Sequence, residues 1–267
     1  MHGLGNDYIV LDGIRQRIHL TPALIKKLCD RHTGIGADGV ILIMPVHKST
    51  SSRAHESVVP DFRMRIFNAD GSEAEMCGNG IRCLGKYIYE HGLSRKQILI
   101  IATKAGNRKL ELFVRGRQVT QIRVAMGKPA DVANEHLTMP DEALQVTRVD
   151  MGNPHCVVFT KHIDELPIDR FGAQIECHTK FPQRTNVEFV QVINKDNVKQ
   201  RTWERGVGET LACGTGAAAV VAAGVYNKFI HRQVTVHLKG GDLLVDQALT
   251  DEVYITGPAE EVFSGTT

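Results

Sequence analysis

The chain has no Cys-x-x-Cys pair, no residue spacing suited to a metal, and no motif for a Schiff-base cofactor. These absences argue against a structural zinc site and predict a protein that needs neither metal nor cofactor. Its six cysteines (29, 77, 83, 156, 177 and 213) are too sparse over 267 residues for a disulfide scaffold, so free thiols and a cytoplasmic location are expected. Charge of one sign is also missing: 32 basic and 30 acidic residues leave a net charge of +2, without basic stripes. Nothing therefore calls for nucleic acid or an anionic membrane as partner. No apolar run reaches the roughly 18–20 residues that span a bilayer, and the N-terminus lacks a basic segment followed by an apolar one. With 42% hydrophobic and 23% charged residues, the composition is that of a globular protein large enough for one big domain or two smaller ones.

What is present is a doubled phrase, Cys77-Gly78-Asn79-Gly80 and Cys213-Gly214-Thr215-Gly216. Each reads as a helix start with a thiol at its cap. Each is followed by a helical stretch (to about His91 and Lys228) and a strand (Gln97–Ile101 and Gln233–Val236). Glycines (Ala105-Gly106 and Gly240-Gly241) and a second strand (Lys109–Leu112 and Leu243–Val245) complete each copy. The spacing from Cys77 to Gly106 differs by one residue from that between Cys213 and Gly241. Upstream, Gly5-Asn6 and Gly152-Asn153 precede the apolar runs Ile9–Leu11 and Val157–Phe159. Two copies of one unit, with a cleft between them, are the reading. The fold class is α+β: two pseudo-symmetric lobes, each a mixed sheet rolled around a central helix. Residues 1–125, completed by a C-terminal strand at 256–267, form one lobe, and 126–255 form the other.

Further strands are expected at Val40–Met44, Phe62–Phe67, Leu110–Val114, Val119–Val124, Val187–Ile193 and Val198–Trp203. Hairpin turns fall at Arg115-Gly116-Arg117 and Asn194–Asn197. Thr21-Pro22 starts a helix that runs through Leu28 and is stopped by Gly34. The polar segment Lys48–Ser57 reads as a surface loop, and the small apolar helix after Cys213 as buried.

A helix N-terminus offers N–H donors and partial positive charge, which binds carboxylate and favours thiolate. A fall of about one and a half units in thiol pKa corresponds to roughly 2 kcal/mol. A thiolate on one side of a carbon and a thiol on the other can remove a proton and return one to the opposite face, inverting the centre. The flanking glycines let backbone N–H groups approach a carboxylate as charge builds on it.

Seven phrases resemble the diaminopimelate epimerase family and span nearly the whole chain. They are Gly3-Leu4-Gly5-Asn6-Asp7, Phe67–Ser72, the two cysteine phrases, Gly152-Asn153-Pro154-His155, Thr185-Asn186-Val187-Glu188 and Trp203–Thr210. The resemblance implies interconversion of LL- and meso-diaminopimelate, a step towards lysine and peptidoglycan, with Cys77 and Cys213 as the acid/base pair. It implies that Asn68, Asn153, Asn186 and Arg205 grip the distal end of the substrate while Glu204 reads its ammonium. Asn6 and the backbone at Gly78-Asn79 and Gly214-Thr215 would hold the reacting end, with His155 and Glu209 orienting substrate or thiols. A homodimer is the expected assembly. Members of the family usually carry a few residues before the opening methionine, so either a shortened first strand or a truncated start is expected here.

Blander readings stand beside these. Cys29, Cys83 and Cys156 read as packing residues, and Cys177 beside His178 as a spectator. The asparagines, Asn68 above all, also suit turns. Proline- and histidine-racemase-like enzymes use two cysteines without a distal dicarboxylate grip, so Arg205 and the asparagines favour diaminopimelate. A catalytically dead amino-acid binder and a thiol-redox protein are the readings from other classes.

Overall fold

The computed structural model describes residues 1–46, 58–140 and 143–266; the expected loop at 48–57 lies outside them. Two compact units are present, Met1–Val124 with Gly257–Thr267, and Ala125–Thr256. Among the described residues no helix is long and apolar enough to cross a membrane.

The first unit contains β1 (His2–Gly3), β2 (Asn6–Asp12), α1 (Pro22–Cys29), β3 (Gly39–Met44), β4 (Phe62–Asn68), β5 (Glu73–Ala74), α2 (Gly78–Glu90), β6 (Ile98–Thr103), β7 (Gly106–Arg115) and β8 (Gln118–Gly127). β2 lies antiparallel to β1 and parallel to β3, and β3 is antiparallel to β4. β4 pairs antiparallel with β5 and parallel with β6, from which β7 and β8 continue as antiparallel hairpins. These strands pack around α2, whose Ile81, Leu84 and Ile88 are fully buried.

The second unit contains β9 (Ala130–Thr138), β10 (Ala143–Asp150), β11 (Pro154–Phe159), α3 (Ile168–Glu176), β12 (Asn186–Asn194), β13 (Asn197–Glu204), β14 (Gly208–Thr210), α4 (Gly214–Tyr226), β15 (Gln233–Leu238), β16 (Gly241–Gln247) and β17 (Val253–Gly257). From β10 onward it repeats the first unit pairing for pairing. β11 is antiparallel to β10 and parallel to β12, and β12 is antiparallel to β13. β13 is antiparallel to β14 and parallel to β15, then β16 and β17 follow antiparallel. The duplicated phrases therefore head equivalent helices in equivalent sheets. α4 is small and apolar all round because β-strands surround it; Ala217 through Ala223 are all buried.

Several elements differ from the sequence expectation. α1 begins at the expected cap, with Thr21 Oγ1 accepting from Leu24 N at 3.2 Å, but ends at Cys29, before Gly34. Asp30 terminates it: its carboxylate accepts the N–H groups of His32 and Thr33, which turns the chain away. β9, β10 and α3 were not expected. β9 is mostly exposed and offers no apolar alternation, and α3 carries a mid-helix glycine. That glycine has a packing reason, since a Cβ on Gly172 would lie 2.5 Å from Trp203 Cγ. Among the described residues, 256–266 are not one strand: β17 ends at Gly257, and beyond it a bridge joins Glu260 to His2.

Candidate active site

In the first unit, Cys77 is the N-cap of α2, with extended backbone (φ −138°, ψ 126°), and its Sγ accepts the Gly80 N–H at 3.5 Å. Asn6 reaches it through a tight hairpin. His2 pairs with Asp7 and Gly3 with Asn6 across Leu4-Gly5, whose φ angles of 56° and 84° make a two-residue turn of the type that matches strand twist. Asn6 Oδ1 lies 3.7 Å from Cys77 Sγ and accepts from the Tyr8 hydroxyl at 2.7 Å and from Asn79 Nδ2 at 3.2 Å. Its amide nitrogen donates to Asp38 at 2.8 Å, and Arg31 clamps Asp38 and Asp7 together. Burial pushes the Asp7 carboxyl up, but the Arg31 and Asp38 hydrogen bonds outweigh it and hold the group below its ordinary value.

Two residues the sequence reading missed complete this half-site. Tyr8 places its hydroxyl 3.0 Å from Cys77 Sγ. Arg82 is wholly buried one turn into α2, donating to Gly78 O, to Asn79 Oδ1 and to Pro258 O. Among the described residues it faces carbonyl oxygens and no carboxylate, and burial pushes its guanidinium down. The signal for Arg82 was its spacing, since residues three and four apart on a helix share a face with Asn79 and Gly78.

Asn68 ends β4 in a turn. Its carbonyl accepts Gly71 N at 2.9 Å and its side-chain amide donates to Ser72 Oγ at 3.0 Å, as a turn residue would.

In the second unit, Cys213 caps α4 in the same way (φ −123°, ψ 112°), its Sγ accepting the Gly216 N–H at 3.4 Å and lying 3.5 Å from Thr215 Oγ1. The parallel register of β11 and β12 sets His155 opposite Asn186, so Glu188, two residues on, shares its face. His155 Nδ1 meets Glu188 Oε1 at 2.8 Å with both side chains fully buried, and His155 Nε2 meets Asn153 Oδ1 at 3.1 Å. Gly216 presses on this pair: a Cβ there would stand 2.6 Å from Glu188 Oε1. Asn186 donates to Pro154 O at 3.1 Å and accepts the Arg205 N–H at 3.0 Å, while the exposed Arg205 guanidinium donates to Gln183 O. Glu204 accepts the Thr210 hydroxyl at 2.6 Å. Glu176, also missed, is a buried carboxylate that accepts from Trp203 Nε1 at 2.7 Å and from Gly206 N at 2.9 Å. It closes the turn that carries Arg205, and no sequence signal marked it because its helix was itself unexpected.

Two expectations change here. Cys213 is not shifted toward thiolate. Burial first, then the charges of Glu204 and Glu188, hold its thiol well above the ordinary value against the hydrogen bonds from Thr215 and Gly216. Glu209 is committed elsewhere. Arg201 grips its carboxylate at 2.7 and 3.1 Å and Lys239 adds a 2.7 Å contact, so the reading of Glu209 as orienting a thiol has no contact behind it among the described residues. Cys29, Cys83 and Cys156 are buried and Cys177 is exposed, all of them free. A concavity of about 650 Å³ in this unit, lined by Phe159, Lys161, Lys195 and Lys228, contains neither capping thiol.

A sequence model of the family described as diaminopimelate epimerase matches residues 1–132 and 147–262. A diaminopimelate epimerase of Pelotomaculum thermopropionicum is 47% identical over 99% of this chain and 96% of its own length. One of Methanococcus maripaludis is 46% identical over 99% of this chain and 97% of its own. Among solved structures, a hydroxyproline epimerase from Agrobacterium vitis shares the fold with a TM-score of 0.69, covering 96% of this chain and 87% of that one at 16% identity.

Proposed function

This chain belongs to the diaminopimelate epimerase family, and on that premise we propose how its residues carry out the reaction. The protein is an isomerase that interconverts LL- and meso-diaminopimelate on the route to lysine, and it supplies the meso isomer to peptidoglycan. The observation that carries the residue assignment is the pair of capping thiols, Cys77 and Cys213, at equivalent helix starts of a duplicated unit, each bonded by the N–H three residues on.

One cysteine, as thiolate, takes the α-proton, breaking the Cα–H bond and forming S–H. The other, as thiol, returns a proton to the opposite face. The electron pair left at the α-carbon delocalises into the adjacent carboxylate, where the first-turn N–H groups of α2 and α4, at Gly78-Asn79 and Gly214-Thr215, stabilise it. The raised thiol of Cys213 suits the donor role at rest. Asn6 holds the reacting end, and Asn68, Asn153, Asn186, Glu204 and Arg205 hold the distal amino-acid end. A guanidinium suits a second carboxylate because it can bind it through two parallel bonds.

Incubation of the reduced protein with LL-diaminopimelate in deuterated water should label the α-carbon while meso product accumulates. Folded protein that shows neither exchange nor product would overturn the activity. Cys77→Ala and Cys213→Ala should each abolish net epimerisation, and normal turnover in either would exclude the two-thiol assignment. Proline and histidine in the same assay should give no exchange.

A further inference from the structure

We propose that Tyr8 is a positioning residue for Cys77, with its hydroxyl bonding the sulfur in both protonation states that an acid/base thiol must visit. The inference rests on Cys77 serving as one of the two acid/base groups. It starts from a short chain of contacts: Tyr8 Oη lies 3.0 Å from Cys77 Sγ and 2.7 Å from Asn6 Oδ1.

The ring is fixed. Tyr8 is 8% exposed, and its backbone exchanges hydrogen bonds with Met1, Tyr8 N to Met1 O at 2.7 Å and Met1 N to Tyr8 O at 3.0 Å. Its parallel partner across the ladder is Gly39, where a Cβ would lie 3.2 Å from Tyr8 Cε1, so the ring lies close over a residue with no side chain. Asn6 and Tyr8 are two apart on β2 and therefore project on one face.

A phenol has one proton and can also accept. With Cys77 as thiol, S–H donates to Oη while Oη–H donates to Asn6 Oδ1. With Cys77 as thiolate, Oη–H turns to the sulfur. Asn6 Oδ1 then keeps the Asn79 Nδ2 donor at 3.2 Å, so no buried acceptor is stranded in either state. The Gly80 N–H reaches the sulfur throughout. Asn79 is itself held by Arg82, whose buried guanidinium adds positive charge on the thiolate side of the exchange.

Tyr8→Phe removes the hydroxyl and keeps the ring. The test is the pH dependence of iodoacetamide alkylation, followed separately on the Cys77 and Cys213 peptides by mass spectrometry, beside steady-state epimerisation. We expect the Cys77 profile of the variant to move about one pH unit to the alkaline side, equivalent to about tenfold slower alkylation below the transition. The Cys213 profile should stay in place, and kcat should fall about tenfold with KM changed less than twofold. Replacing Tyr8 with 3,5-difluorotyrosine, a more acidic phenol of nearly the same shape, should speed Cys77 alkylation only below the pH at which its own hydroxyl ionises, and slow it above that pH, where the phenolate can no longer donate. It also decides the matter if the phenylalanine variant folds poorly. An unmoved Cys77 profile in both proteins, or an equal shift at Cys213, would overturn the inference. Alkylation needs no substrate, so failure of the unsubstituted protein to epimerise would count against the parent reading alone.

Discussion

Cys77 and Cys213 occupy the same cap geometry, yet their surroundings differ. Cys77 has a phenol, an amide and, within one turn, a buried guanidinium, whereas Cys213 is enclosed near the carboxylates of Glu204 and Glu188. A helix terminus contributes the same donors to both; neighbouring charge makes them unlike. Glu188 is kept in place by His155 on one side and by the missing side chain of Gly216 on the other. Gly216→Ala should therefore displace it. Overpacking of about 1–3 kcal/mol is expected to exceed the helix-propensity gain of roughly 1 kcal/mol. The urea midpoint should drop, and epimerisation should fall while Cys77 alkylation stays normal. A variant as stable and active as the original would show that Glu188 yields freely. The thiols, the asparagines and Arg205 stood out in the sequence because each lies in a short, recognisable phrase. Tyr8, Arg82 and Glu176 lie outside those phrases, and Glu188, though inside one, had no visible partner, because their contacts depend on what the strand register brings beside them.

The helices α2 and α4 each combine a core and a site. Their interiors pack against the surrounding strands, while their first turns carry the chemistry. Arg82 couples the two functions in α2, tying Gly78 and Asn79 to Pro258 in the C-terminal segment. Arg82→Met would fill similar volume but leave Asn79 Oδ1 and Pro258 O without this donor, whereas Gly78 O keeps its bond within the helix. A loss of about 3 kcal/mol is expected, from buried acceptors that cost roughly 1–3 kcal/mol each when unpaired. Chemical denaturation measures it; a loss under about 0.5 kcal/mol, the usual range for surface changes, would mean that these oxygens find other donors. At this scale the sequence was legible where periodicity or capping was strong, as in β3, β4, β13 and both capped helices. It was silent on β9, a mostly exposed strand, and it overran α1, whose end is set by the Asp30 turn rather than by Gly34.

Across the molecule, buried thiols set an alkaline limit to stability. Burial pushes the Cys83 thiol up to about 12 from an ordinary 9.0. Cys156 is raised well above its ordinary value as well, by burial and then by the charge of Glu188. These groups stay protonated in the folded chain after the unfolded chain has lost its protons, so stability is intact below pH 9 and declines from there toward 12. Each such thiol adds a slope of at most about 1.4 kcal/mol per pH unit. Urea midpoints taken across this range should fall steadily, and Cys83→Ala should lower the starting value but flatten the decline. An unchanged slope in that variant would assign the effect to other groups. On the acid side, Glu73 is held below its ordinary value by Arg65, so its contribution is present above that value and is lost as pH falls through the lowered one.

The sequence by itself determined the duplication, the family, the two thiols and the helices they cap. These follow from short-range rules: capping, hydrophobic period and the order of motifs along one chain. Only the tertiary structure decided what each thiol feels. Burial, the His155–Glu188 pair, the Tyr8 hydroxyl and the buried Arg82 arise from strand register and from groups far apart in sequence, such as Arg82 and Pro258. Electrostatic energy depends on distance and desolvation, and neither is encoded locally; that is why the helix caps by themselves favour thiolate at both cysteines alike, while burial and the charges of Glu204 and Glu188 raise the thiol of Cys213 in the folded chain.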